Sequence, residues 1–554
     1  MNIDKLEQCE DGTHKLDGNL KSRDVLHRLE ENDPTTKVVK IWTTPCIGAE
    51  SFQSDRDIEQ VGRAMAQNTN VETLTLCIHF GVGIDKRVIR LLELLSKNRG
   101  IRHFEFAVLR KVLDIEMEDF SQLGPFFERN PNLESIVLKS LHLSPRGTNP
   151  LLDSLARRQY PLQKIEACDI GGNRAKETLI FFRNNPASTP KRILLKRNRL
   201  GNKDCFCISD IIINTCNELE EIDLGNNCIG PKGLKSISKA LVDRECALQR
   251  LDLSINNLTD KHIRSLAGEF FSYPDLIPNQ LDLKMNDIGL EGFEKLGNLV
   301  VRRKAPLTML DLSGNEVGRR GILALLMAFL ACPDGTPKDL RLGLHGLESI
   351  LKEEIPSLLQ IPVCSMEKLF VTNELNRGGG PLDDESAFRI ARSLMSNSSL
   401  AELRTLTGNL SEHGWKHFIT LLCDTSSIRS TYESNHVLNN LGSVSTQPPE
   451  IRPLLKLNKH PDKNYVATVK IIHHHFAHNF DLSLFEEMSP SVLVQVLSFF
   501  NRGFLMWRRN DFRIHGQTYW GSRKNCLALN FLMLKNLSRM FECLLQRAKD
   551  ERLE

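Results

Sequence analysis

The chain has 554 residues, 41% of them apolar and 25% charged, with 72 Lys+Arg against 69 Asp+Glu. That apolar share supports a large core and excludes a disordered chain, and a net charge of +3 argues against both a general nucleic-acid binder and a trap for acidic substrates. Fourteen cysteines with no secretion signal point to reduced thiols in a cytoplasmic protein, or a nuclear one.

In chain order, Met1–Glu31 is rich in acids and has no apolar stretch of the kind a signal peptide needs. Residues 1–35 read as a leading segment, with Asp24–Asn32 a short helix that stops before Pro34. A repeat then runs from 36 to 440. It is plainest in LEEIDLGNNCIG from Leu219, LQRLDLSINNLT from Leu248 and LTMLDLSGNEVG from Leu307. Aligned on the first apolar residue of each LxL pair, Ile193, Ile222, Leu251, Leu281, Leu310 and Leu340 follow one another at 29, 29, 30, 29 and 30 residues. The register extends upstream to Ile165, Ile136, Phe104, Leu74 and Val39, and downstream to Leu369, Leu403 and Thr431.

Each unit is physically readable. The LxL pair has the strand period of two, so both leucines face one side and the residue between them the other. Asn198, Asn227, Asn256, Asn286 and Asn315 stand five residues after the key apolar position, where a buried amide can bond the backbone of its own and the neighbouring coil. Gly201, Gly230, Gly289 and Gly318 follow at a turn. The period then becomes helical, as in Leu234, Ile237, Ala240, Leu241 and in Ile263, Leu266, Ala267, Phe270. One such unit cannot bury its apolar face alone, and stacking closes the core. Residues 441–450 read as a linker. Residues 451–554 read as a helical C-terminal cap with a basic aromatic tail, Leu527–Leu545 being its most apolar helix. The longest apolar stretch, Ile322–Cys332, is too short to span a bilayer.

The pattern LxxLDLSxNxIGxxGxxxLxxxL at 28 to 30 residues resembles the ribonuclease-inhibitor type of leucine-rich repeat. The resemblance implies an α/β solenoid, a horseshoe of about 12–13 strand–turn–helix repeats with a parallel sheet on its concave face and helices outside. It is most specific between Ile193 and Val317; upstream Leu141 and Ile170, and downstream His345 and Glu374, occupy the register of the asparagine. The flanks DVLHRLEENDP (Asp24–Pro34), STYESNHVLNNL (Ser430–Leu441) and LLKLNKHPDKNYVATVKIIHHHF (Leu454–Phe476) resemble the RNI-like proteins expanded in unicellular algae.

Several constellations invite chemistry. Asp223, Asp252, Asp282 and Asp311 occupy the middle of the LxL pair and form a carboxylate column on the concave face, a docking stripe for a basic partner or simply the repeat consensus. Lys191, Arg192, Lys196, Arg197, Arg199 and Lys203 lie one repeat upstream, a weak case for nucleic acid. In Gly503–Asn525, Trp507, Phe512, Tyr519 and Trp520 alternate with Arg508, Arg509 and Arg513, as in a single-strand binder, but Leu505 and Met506 continue an apolar run that favours a cap. SPSVLVQVLSFF (Ser489–Phe500) resembles the opening of an F-box, without its usual continuation. His473, His474, His475 and His478 lack the further ligands a zinc site needs, and Cys205 and Cys207 read as free buried thiols. No phosphate loop and no nucleophile elbow is present in the sequence, so no catalytic residue, metal or cofactor is expected. The expectation is a non-enzymatic scaffold holding a protein partner, and no membrane or nucleic acid, through Lys196, Arg197, Asp223, Asp252, Asp282, Lys284, Asp311 and Arg341. The alternatives are a ubiquitin-ligase adaptor using 489–500 and a GTPase-activating protein of the RNI-like type, whose acidic tail this chain lacks.

Overall fold

The computed structural model describes residues 13–16, 22–43, 55–78, 90–91, 93–95, 97–108, 124–139, 160, 162, 164–168, 179, 190–215, 219–315, 317–343, 348–361, 364–372, 382–405, 410–442 and 447–476. The segments 489–500, 503–525 and 527–545 lie outside the described residues, as do His478 and the register positions Leu141, Ile170, His345 and Glu374. The chain divides into two compact units, Met1–Val317 and Gly318–Glu554.

The first unit holds β1 (Thr13–Leu16), β2 (Val38–Thr43), β3 (Thr73–Ile78), β4 (His103–Val108), β5 (Ser135–Lys139), β6 (Lys164–Cys168), β7 (Arg192–Leu194), β8 (Glu221–Asp223), β9 (Arg250–Asp252), β10 (Gln280–Asp282) and β11 (Met309–Asp311). They form one parallel sheet in chain order. Val39, Leu74, Phe104, Ile136, Ile165, Ile193, Ile222, Leu251, Leu281 and Leu310 stand in a single row of paired positions, as the spacing predicts. Both members of the pairs from Val39 to Ile136 and from Ile193 to Leu310 are buried, Leu251 and Leu253 for example, against helices such as Pro231–Asp243 and Asp260–Phe270, whose Leu234, Ile237, Ile263 and Leu266 are also buried. Burying each such side chain contributes about 1.5–3 kcal/mol. The sheet begins earlier than residue 36, because β1 pairs with β2, and the first helix runs Ser22–Glu30.

The asparagines act as the periodicity predicts. Asn256 Nδ2 donates to Leu224 O at 2.9 Å in the preceding coil and to Leu253 O at 3.1 Å in its own. Asn286 Oδ1 accepts from Asn256 N at 2.8 Å and Leu258 N at 3.1 Å. Asn227 and Asn315 repeat the donor pattern. The residue before each ladder asparagine is left-handed: φ is 61° at Arg197, 54° at Asn226, 54° at Ile255, 51° at Met285 and 68° at Gly314. In that conformation the N–H of Ile255 reaches Lys284 O at 2.9 Å and that of Met285 reaches Ser313 O at 2.7 Å.

Two further ladders were not foreseen. Where the first asparagine row is missing, another lies ahead of the strands: Asn98 Nδ2 donates to Met65 O and Asn68 O (2.6 and 2.8 Å), and its Oδ1 accepts from Gly100 N and Ile101 N. Asn68 accepts from Asn70 N and Val71 N in the same way. Helix N-termini are tied across coils as well. Asp260 Oδ1 accepts from Gly289 N at 2.7 Å and Gly292 N at 2.9 Å, and Asn202 Oδ1 from Gly233 N at 2.8 Å. A Cβ on Gly292 would lie 2.7 Å from that Asp260 oxygen, so the approach needs glycine.

The second unit carries β12 (Asp339–Gly343), β13 (Lys368–Thr372) and β14 (Glu402–Thr405), with Leu340, Leu369 and Leu403 in one row. Thr431 does not continue that row. It lies in the helix Ile428–Glu433, and the next parallel bridge to β14 is made by Asn440; the helix intervenes because Ser427 caps it by accepting from Ser430 N. The asparagine row ahead of the strands returns as Asn397, Asn435 and Asn458, with Asn435 Nδ2 bonding Leu394 O and Asn397 O. Lys470, on the helix Lys463–Ile471, is 1% exposed and donates to Leu422 O, Asn435 O and His436 Nδ1 (2.6, 3.2 and 3.0 Å). A buried lysine thus shares the Asn435 carbonyl with the rung from Asn458.

Candidate interaction face

The open face of the first sheet is built from residues alternating with the core row. On β8–β11 its centre is Asp223, Asp252, Asp282 and Asp311, paired position to position, about 4.8 Å apart. Each carboxylate ends its own strand. Oδ1 accepts from the backbone N–H two residues on: Gly225 for Asp223 (2.9 Å), Ser254 for Asp252 (3.0 Å), Lys284 for Asp282 (3.1 Å) and Ser313 for Asp311 (3.0 Å). In two coils a serine hydroxyl donates as well, Ser254 at 2.6 Å and Ser313 at 2.5 Å.

Burial divides the column. Asp252 and Asp311 are buried, 1% and 4% exposed, whereas Asp223 and Asp282 are half-buried. Burial first, and the charge of Asp252 second, push the Asp223 carboxyl up to about 6; the same causes, with Asp311 added, do so for Asp282. Arg250 lies 3.2 Å and Lys196 4.0 Å from Asp252 Oδ2.

Of the residues expected to bind a partner, the first unit therefore gathers Lys196, Asp223, Asp252, Asp282 and Asp311 on one face. Lys284 is half-buried at the strand end, and Arg197 is exposed on the turn that follows β7. Arg341 belongs to the second unit, where it pairs with Asp339 at 2.9 Å. The basic stretch is partly neutralised, with Arg192 3.6 Å from Glu221. Lys191 and Arg192 border a feature not foreseen, a cleft of 410 Å³ at the leading ends of the strands, lined also by His103, Glu134, Lys164 and Glu220. The polar residue just before the key apolar position in successive repeats was the available signal for it.

Other constellations resolve structurally. His475 Nε2 lies 2.8 Å from Thr431 Oγ1, and His473 and His474 are exposed. Among the described residues no group of three or more His, Cys, Asp and Glu could hold a metal ion. Cys205 is free and buried, its thiol pushed up to about 12 by burial and Asp204; Cys207 is free and half-buried. Among the described residues no helix is long and apolar enough to cross a membrane.

A family model described as Leucine Rich repeat matches residues 215–238 and 304–326, which include β8 and β11. With the parallel sheet, the backing helices and the asparagine ladder, these matches support a leucine-rich repeat solenoid fold. No curated protein gives a significant match. Leucine-rich repeats of this kind suggest a protein-interaction scaffold.

Proposed function

We propose that the chain is a non-enzymatic scaffold of the ribonuclease-inhibitor-like type that takes a protein partner on the open face of its repeat sheet. The observation that carries this reading is the in-register row of charged side chains at the positions alternating with the core, each fixed by its own backbone bond. Charges held in place before docking lose little entropy on association and select partners by complementary potential.

The residues able to meet a partner are Lys196, Arg197, Asp223, Asp282 and Lys284 in the first unit and Arg341 in the second, all with exposed or half-buried side chains. Asp252 and Asp311 act from beneath, as charge and as strand ends. A segment carrying Lys or Arg suits the first unit, whose column stacks four carboxylates in register. Free cysteines among the described residues fit a cytoplasmic or nuclear setting.

The test is affinity capture from nuclease-treated native lysate with wild type, Asp223→Asn/Asp282→Asn and Lys284→Glu side by side. The expected result is a protein retained by wild type and lost from the variants. A partner set identical across all three removes the open face from consideration.

A further inference from the structure

We propose that the open face of β12–β14 is a docking site for an acidic peptide segment, whose carboxylates are received by Arg341 and Arg404 on either side of Phe370. This rests on the reading of a protein partner on the open sheet face and narrows it to one chemistry in the second unit.

Arg341, Phe370 and Arg404 are paired residues on three neighbouring strands. The guanidinium of Arg341 lies 4.9 Å from the centroid of the Phe370 ring, and that of Arg404 lies 4.8 Å from the same ring. Each is also held by the acid two residues earlier in its own strand. Arg341 Nε and Nη2 donate to Asp339 at 3.1 and 2.9 Å, and Arg404 Nη2 donates to Glu402 at 3.0 Å. Ring and ion pair together orient both planes before any partner arrives, so little side-chain entropy is left to lose on binding. The two side chains nevertheless keep 40% and 48% of their surface exposed.

Charge selects the occupant. Among the described residues of β12–β14, Arg341, Lys368 and Arg404 stand beside Asp339 and Glu402, a balance of one positive charge. A single phosphate dianion would bring both of its charges to one arginine, beside that arginine's own Asp339 or Glu402, whereas two separate carboxylates divide the charge between Arg341 and Arg404 on strands two places apart. Singly charged carboxylates fit, because a planar guanidinium receives them through paired N–H bonds. The strands that carry Arg341 and Arg404 are two spacings apart, about 10 Å, with both guanidiniums drawn to the Phe370 ring between them. A polyproline-II segment has three residues per turn, so acids at i and i+3 lie on one side of it and span about 9 Å at about 3.1 Å per residue.

The test is fluorescence anisotropy of the full chain with a labelled peptide built on Glu-Gly-Gly-Glu, beside its Gln-Gly-Gly-Gln counterpart and a phosphoserine peptide. The protein is wild type, Arg404→Gln, Arg404→Lys or Phe370→Leu, each checked for an unchanged melt. Wild type should bind the Glu peptide, salt should weaken it, and the Gln peptide should not bind. Arg404→Gln should lose about tenfold in affinity, as for a lost charge-assisted pair. Arg404→Lys, which keeps charge and fold but not the planar fork, and Phe370→Leu, which unfixes both planes, should fall between. Glu-peptide binding that is absent, or indifferent to Arg404→Gln and Arg404→Lys, overturns the proposal, as does a preference for the phosphoserine peptide. A captured partner that depends on Lys284 while the Glu peptide fails to bind would overturn this site alone. A partner set indifferent to every open-face variant would overturn the wider reading.

Discussion

Asp223 and Asp282 are carboxylates that the fold holds at a disadvantage. Their acidities sit near 6, against about 3.9 for an unfolded Asp, so between those values the native chain keeps protons that the unfolded chain releases. Stability attributable to them is therefore greatest at low pH and is lost as pH rises through 6. Asp223→Asn or Asp282→Asn removes the charge and keeps the Oδ1 that accepts Gly225 N or Lys284 N. Each should raise stability by about 1–2 kcal/mol at pH 8 and leave it unchanged at pH 4, read from urea midpoints at both values. Equal effects at the two pH values would assign the gain to something other than charge. Ile255 is a second strained point, a β-branched residue at φ 54° where the preceding coil has Asn226. Ile255→Asn should stabilise by about 1 kcal/mol in the same titration; a loss would mean that packing of the isoleucine outweighs its backbone. The column itself was legible from the LxL period. The division of its members was not, although it follows one letter: the buried Asp252 and Asp311 are those with serine two residues on, while Asp223 and Asp282 precede Gly225 and Lys284.

At the scale of elements, bonds between coils decide how helices and strands line up. Asp260 serves the helix Leu290–Val300 of the next coil, not only its own, through Gly289 N and Gly292 N. An anionic oxygen there meets the positive end of the neighbouring helix. Asp260→Ala should cost about 1–2 kcal/mol, and hydrogen exchange should rise first in residues 289–300. Protection lost evenly over the first unit would show that the contact is not local. The strand and helix periods made the elements readable from sequence, including every strand row from Val39 to Leu310. The ladders ahead of the strands escaped because the search was anchored after them. The signal was present as asparagine three residues before an apolar strand lead, in Asn68–Val71, Asn98–Ile101, Asn397–Leu400 and Asn435–Leu438. Thr431 was misplaced for a related reason: spacing was extended into a stretch whose local Ser427 cap favours a helix.

For the whole molecule, the two compact units and their coil-to-coil bonding predict unfolding in more than one step. Urea denaturation followed by hydrogen exchange should give separate transitions for residues 219–315 and 382–442, and Asp260→Ala should move only the first. A single shared transition, moved as a whole by that change, would contradict the division.

One feature of the ladder has a bearing on how such a chain changes length. From Asn227 to Asn286 every rung accepts from the coil before it and donates both backward and within its own coil, so each coil presents the same sockets on both sides. Removing residues 222–250 would bring Ile193 beside Leu251 with the asparagine sockets filled, whereas removing 29 residues around Asn98, where the rungs Asn68, Asn98 and Asn130 stand 30 and 32 residues apart, would slip the strand register by an odd number of residues and turn its apolar side chains to the other face. A gain or loss of one 29-residue coil in the middle of the sheet therefore leaves the asparagine ladder whole, and the number of coils there can change without a new rung being invented.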